Sequence, residues 1–204
     1  SPMNTGKHHD PGTALPPLRN RTFDEIAIGD SASIERTLTA EDIQLFAVMS
    51  GDVNPTHVDP DFAATTGLDD VIAHGMWGGA LISGLLGTRL PGPGTLYESQ
   101  TLEFLAPVRI GDTLTVTATV TERDAATRRV TLRCTCVNQD GTTVIEGDAE
   151  VIAPQERIER ARATLPEVRL TTGGNGTRRL LDHVRPMKTL DRKSGSAGMP
   201  RPMS

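Results

Sequence analysis

The sequence predicts an α+β fold in which an antiparallel sheet curls around one apolar helix, and three observations carry that prediction. The stretch HGMWGGALISGLLGTRL, residues 74–90, reaches Arg89 before meeting a charge, as a buried helix would. Almost everything after it alternates as strand: Tyr97 to Phe104, Thr113 to Thr121, Arg128 to Val137 and Thr142 to Ile152, with turns between them. Within the second of these, Thr113, Thr115, Thr117, Thr119 and Thr121 share one face while Leu114, Val116, Ala118 and Val120 share the other. A single apolar helix followed by a meander can bury both only by layering the sheet on the helix.

The elements follow in order. Residues 1–20 are polar and rich in Pro and Gly, are expected to lack order, and hold no apolar stretch with the small-residue cleavage site of a secretory signal. Arg21 to Asp30 leads in to a Gly-Asp turn, and Ser31 to Leu38 alternates as a strand. Thr39 and Asp42 have capping-box spacing for a helix that carries Ile43, Phe46 and Ala47 on one side and stops at Ser50-Gly51. DVNPTHVDP, residues 52–60, holds an Asp, an Asn and two Pro, which predict a fixed, turn-rich loop without regular structure. Asp59 then caps a short helix with Pro60 at its first position and Gly67 beyond its end.

The apolar helix is expected to be buried on nearly every side. Gly78, Gly79, Gly84 and Gly87 would each cost it about 1 kcal/mol relative to Ala, tolerable where a sheet presses close. PGPG at 91–94 breaks it. Val130, Leu132, Cys134 and Cys136 keep one phase, and Asp140-Gly141 turns the chain into the last strand. QERIERARATLPEV, residues 155–168, reads as a short charged helix closed by Pro166; from Thr171 onward little order is expected. The organisation is therefore a disordered segment 1–20, one domain 21–154 and a basic, mostly disordered tail 155–204.

Composition narrows the function. With 204 residues the chain suits one compact domain, and no apolar run approaches the roughly 20 residues that span a bilayer. Residues 1–153 carry 10 basic and 21 acidic side chains, the remainder 11 and 5. An acidic body with one Trp and one Tyr offers neither the charge nor the stacking surface of a nucleic-acid binder. A reducing cytoplasm is the default compartment. Cys134 and Cys136 sit side by side on one strand face, poorly placed to bond to each other, and fill core space.

Chemistry concentrates in SGDVNPTHVDP, where Asp52, Asn54 and His57 fall within six residues. A carboxylate and an imidazole held near one water meet the needs of general acid–base catalysis, because His exchanges protons at neutral pH and Asp orients or shares them. Purely structural duties remain open: Asp52 capping a turn, Asn54 forming an Asx-turn before Pro55, His57 simply satisfied. His74-Gly75 opens the apolar helix, whose first N–H groups are unpaired and partly positive. Gly75 there lets a thioester oxygen approach the backbone, while His74 suits a helix-start residue bonded to a nearby carbonyl. The Cys and His lack paired metal-ligand spacing, TTGGNGT has no phosphate-loop context, and Ser83 is not in a nucleophile elbow.

Together, SGDVNPTHVDPDFAATTGL, VIAHGMWGGALISGLLGTRLPGPGTLYESQTLEFLAPVRIGDTL and the meander resemble the MaoC-like hydratases of the hot-dog fold, over about Arg21 to Pro154. The likeness looks greatest to the hydratase-like domain fused to phosphate acetyl/butyryltransferases, although some 50 residues after Pro154 are too few for a transferase domain. The resemblance implies a homodimer that adds water to a trans-2-enoyl-CoA to give an (R)-3-hydroxyacyl-CoA, with no metal or redox cofactor, coenzyme A being part of the substrate. It implies that Asp52 and His57 are the catalytic pair, that the Gly75 N–H is an oxyanion donor, that Ser83 supports the pair by hydrogen bonding, and that Asn54 braces the loop. Two other readings are kept: a hot-dog acyl-CoA thioesterase, which would use an acidic residue on the helix, and a non-catalytic acyl-CoA-binding module.

Overall fold

The computed structural model describes residues 15–170. A short strand β1 (Leu18–Arg19) and a 3-10 turn at Phe23–Glu25 lead to β2 (Ser31–Thr37) and α1 (Ala40–Ser50). Then come α2 (Pro55–Val58), α3 (Pro60–Thr65) and the long α4 (Gly75–Thr88), followed by β3 (Leu96–Gln100), β4 (Glu103–Phe104), β5 (Thr113–Asp124), β6 (Arg129–Val137), β7 (Thr143–Ile152) and β8 (Glu159–Arg160). The main sheet runs β2-β5-β6-β7-β3, antiparallel throughout, with β4 also on β7.

Its inner face is the one the alternation marks. Val116 lies opposite Cys136, Ala118 opposite Cys134 and Val120 opposite Leu132, and β7 adds Ile145, Ala149 and Val151; all are buried. Against this surface α4 lays Trp77, Gly78, Ile82, Leu85 and Leu86. Fully burying each Leu or Ile stabilises the fold by about 1.5–3 kcal/mol, so this seam is the main support of the architecture. Close approach is tightest at Gly78, where a Cβ would stand 2.2 Å from Ile145 Cδ1. The fold is thus the hot-dog arrangement, an antiparallel sheet around a central helix.

The chain punctuation works as chemistry requires. The Thr39 hydroxyl accepts from Asp42 N–H at 3.2 Å while the Asp42 carboxylate accepts from Thr39 N–H at 3.0 Å, completing the capping box of α1. Gly51 ends that helix at φ 72°, a left-handed conformation that Gly adopts without cost. The Asp59 carboxylate accepts from Asp61 and Phe62 N–H at the start of α3.

Four local expectations are corrected. Residues 52–60 are not wholly irregular: Pro55–Val58 makes one helical turn, with the Asn54 side chain accepting from Thr56 N–H. The strand expected over 97–104 is divided, because Thr101 crosses against Gly147 so closely that a Cβ on Gly147 would meet the Thr101 carbonyl oxygen. α4 is buried on one side only; Met76, Ala80, Ser83, Gly84 and Gly87 are exposed, and Gly84 and Gly87 face open space. Residues 155–168 form no helix. Glu159–Arg160 instead forms β8, which pairs β1, and Asn20 is buried against this segment, so order reaches past both boundaries expected at 20/21 and 154/155. The readings made for residues 1–14 and 171–204 lie outside the described residues.

Candidate active site

The turn after α1 fixes Asp52 at nearly every polar atom. Its N–H donates to the Ser50 hydroxyl at 3.1 Å, and that hydroxyl donates to the Phe46 carbonyl at 2.6 Å. Its Oδ1 accepts from Asn54 N–H at 3.1 Å, and its carbonyl lies 2.9 Å from His74 Nε2. Among the described residues Oδ2 has no hydrogen-bond partner, and the residue is exposed, leaving one carboxylate oxygen free.

Because α2 forms, His57 is carried on a helical turn rather than a slack loop. Its N–H donates to the Asn54 carbonyl at 2.8 Å, and its Nδ1 lies 2.9 Å from the Ile72 carbonyl. A carbonyl only accepts, so Nδ1 carries the proton and Nε2 is the free acid–base atom. A carboxylate oxygen of Asp52, a ring nitrogen of His57 and a ring nitrogen of His74 all lie within 4.8 Å of one another. One water can bridge groups at such separations.

His74 is the buried member, stacked on the His57 ring with centroids 4.1 Å apart and tilted against Phe46 at 4.7 Å. Burial pushes its pKa below the ordinary histidine value, and the charge of His57 pushes the same way; the Asp52 carbonyl and carboxylate pull against them. These three side chains are the only group among the described residues that has the makings of a cation site. His74 Nε2 is committed to a carbonyl, however, and Nδ1 is sealed from solvent, so the group as it stands does not offer three open donors.

Gly75 begins α4, so its N–H has no partner within the helix. A Cβ there would stand 3.0 Å from Phe104 Cε1, and the missing side chain keeps the approach open. His57, His74 and Gly75 line one cavity of about 320 Å³ with Phe104, Pro107 and Ile145. A second cavity of about 470 Å³, lined by Phe46, Met49, Met76, Ser83 and Tyr97, lies along the exposed side of α4.

Four of the five site residues expected from the sequence are therefore brought together: Asp52, Asn54, His57 and Gly75. Asn54 serves by capping α2 and by holding Oδ1 of Asp52. Ser83 is not brought in; it lies two turns further along α4 on the other cavity, and no side-chain hydrogen bond joins it to Asp52 or His57 among the described residues. Sequence reasoning missed Ser50, whose signal was a Ser two positions before Asp, and the Phe46 ring, whose one-sided helical spacing marked it for packing alone.

The hot-dog layer thus brings an Asp and a His together beside a glycine-opened helix. The model of the MaoC like domain matches residues 27–140, and the chain belongs to that family. It is 52% identical over 132 residues to an (R)-specific enoyl-CoA hydratase of Rhodospirillum rubrum, covering 65% of this chain and 91% of that one. It is 44% identical over 142 residues to a 3-hydroxybutyryl-CoA dehydratase of Methylorubrum extorquens, covering 70% and 90%. Among solved structures it is similar to the unliganded R-hydratase PhaJ1 of Pseudomonas aeruginosa, with a TM-score of 0.73, 42% identity, and coverage of 76% of this chain and 99% of that one.

Proposed function

We propose that this protein is an (R)-specific enoyl-CoA hydratase, adding water across the double bond of a trans-2-enoyl-CoA to give an (R)-3-hydroxyacyl-CoA. The observation that carries the reading is that a carboxylate oxygen of Asp52 and a ring nitrogen of His57 lie within 4.8 Å of each other, with His57 lining the cavity that Gly75 also lines, in a chain with relatives named for this reaction. The polarised thioester carbonyl accepts from Gly75 N–H, drawing charge from Cβ. One water held by Asp52 and His57 gives its hydroxyl to Cβ and its proton to the pair, and the pair delivers a proton to Cα on the same face. The two residues share one proton inventory, so the proton belongs to the pair rather than to either member. The reaction is redox-neutral, and these groups supply acid, base and electrophile without a metal or redox cofactor.

No described helix is long and apolar enough to cross a membrane. A reducing cytoplasm suits the two free, buried cysteines, whose thiols burial pushes up to about 11 for Cys134 and about 12 for Cys136, out of reach of ordinary oxidation. A homodimer suits the uncovered side of α4.

The test is to mix the protein with crotonyl-CoA and follow enoyl absorbance together with free thiol. Loss of enoyl without thiol is the expected result. Thiol release would instead identify a thioesterase, and binding with neither change a non-catalytic module.

A further inference from the structure

His74 has no part in the reaction as written, yet it is the most constrained side chain of the site. It is 3% exposed, it reaches back to the carbonyl of Asp52, 22 residues earlier in the chain, and its ring lies against His57. Its Nδ1 is the only buried side-chain nitrogen or oxygen without a hydrogen-bond partner among the described residues. Buried polar atoms are nearly always paired, so an orphan at a functional site asks for an explanation.

The explanation comes from comparing the three protonation forms. With the proton on Nδ1, a buried N–H would go unsatisfied and the lone pair of Nε2 would face the Asp52 carbonyl oxygen. With both nitrogens protonated, a buried cation would sit against His57 and still leave Nδ1–H unpaired. With the proton on Nε2 alone, the carbonyl gains its donor and the sole loss is one unused acceptor, the smallest of the three penalties. The titratable groups facing the ring are Asp52 and His57, and burial outweighs the pull of the carboxylate.

We infer that His74 is a positioning residue: a neutral imidazole locked as the Nε2–H tautomer, which fixes the main chain of Asp52 from below and the ring plane of His57 by stacking, so that their free oxygen and nitrogen face one water. It sits directly before Gly75, so the same residue ties the oxyanion donor to the pair. Among the described residues, the other hydrogen bonds of Asp52 lie within its own turn, to Ser50 and Asn54. His74 ties that turn to the start of α4. This inference rests on the hydratase reading for its catalytic consequence and on geometry alone for the tautomer.

Two variants separate its duties. His74→Phe keeps a ring on His57 and removes the donor; His74→Gln restores an N–H near the place of Nε2 and removes the ring. The expected result with crotonyl-CoA is a fall in kcat of about 10²-fold for His74→Phe, with KM within about threefold, since small misplacement of reacting groups costs rate more than binding. His74→Gln should recover at least about tenfold of that loss. A His74→Phe enzyme within threefold of wild-type kcat, or a His74→Gln enzyme no better than His74→Phe, overturns the positioning role. Loss of stability alone would lower both variants without rescue.

The tautomer is read independently in the wild-type protein by ¹⁵N NMR of its histidine side chains. His74 should be neutral with its proton on Nε2 at about pH 6.5, where an ordinary histidine is half-protonated. A proton on Nδ1, or half-protonation there, overturns the assignment even if His74→Phe does not fold. Failure of the hydratase reading registers separately, as wild-type protein that leaves crotonyl-CoA unchanged.

Discussion

Asp52→Asn and His57→Ala should each lower hydration by about 10²- to 10⁴-fold while acyl-CoA binding, measured by calorimetry, persists. Asp52→Asn keeps the turn that Asp52 anchors, whereas His57→Ala also removes the Nδ1 bond to the Ile72 carbonyl and the ring stacked on His74, so the binding measurement separates lost chemistry from lost structure. The double variant should be scarcely slower than the worse single one, because groups that handle one proton are not additive; multiplicative losses would refute the shared water. His74 makes a different prediction, in stability. Its pKa is lowered in the folded state, so below about pH 6.5 the unfolded chain binds a proton that the native protein refuses. The contribution is therefore fully present above pH 6.5 and is lost as pH falls toward the lowered value, by at most about 1.4 kcal/mol per pH unit. His74→Gln should flatten the stability profile in that window, measured by urea unfolding at successive pH values. Of these residues Asp52 and His57 were legible in the sequence because they are five residues apart in a loop that Pro stiffens. The stack of His74 on His57 was not, since it exists only once α4 and α2 meet.

At the scale of elements, α4 and β7 make the sharpest claim. Gly78→Ala should destabilise the protein by about 1–3 kcal/mol, because the new methyl would overlap Ile145 Cδ1 in a packed seam. Ile145→Val removes that atom, so adding it to Gly78→Ala should recover part of the loss, and denaturant midpoints of the two single variants and the double variant decide the matter. The sequence announced four helix glycines but could not say which one the sheet touches. Regular alternation made β5 and β6 legible, and the Thr39–Asp42 pair made the start of α1 legible, since both signals are local. What failed was set by distant partners. α2 is a single turn whose Pro looked like a breaker but serves as its first residue. The break between β3 and β4 depends on Gly147, more than 40 residues away. Residues 155–168 have helix-forming composition, but Ile158 and Arg157 are held by Asn20 and Glu25, and those tertiary ties outweigh weak local propensity.

For the whole molecule, that same pairing carries the ordered structure past Pro154. A chain stopping at Leu170 keeps β8, whereas one stopping at Pro154 loses the Glu156 and Ile158 bonds to Asn20 and the Ile158 side chain beside Gly94. Each buried hydrogen bond is worth about 1 kcal/mol, and in a chain of this size 1 kcal/mol shifts Tm by about 2–4 °C. The shorter chain should therefore melt several degrees lower in calorimetry than the longer one; equal Tm values would mean the clamp contributes nothing. Assembly is the larger consequence of shape. The sheet ends on β2 and β3, and exposed Tyr97, Met76 and Met49, the last at 71% exposure, line one cavity with Gly79, Ala80 and Ser83 on the open side of α4. An unpaired edge beside an apolar face invites a second copy, and a two-fold axis lets one patch cover itself. Light scattering at micromolar concentration should therefore give a mass near twice the 21.8 kDa of the chain. Met49→Asp places a charge on that surface and should shift the mass toward the monomer with the fold retained by circular dichroism. A wild-type monomer, or a variant that stays fully dimeric, would show that the partner, if any, docks elsewhere.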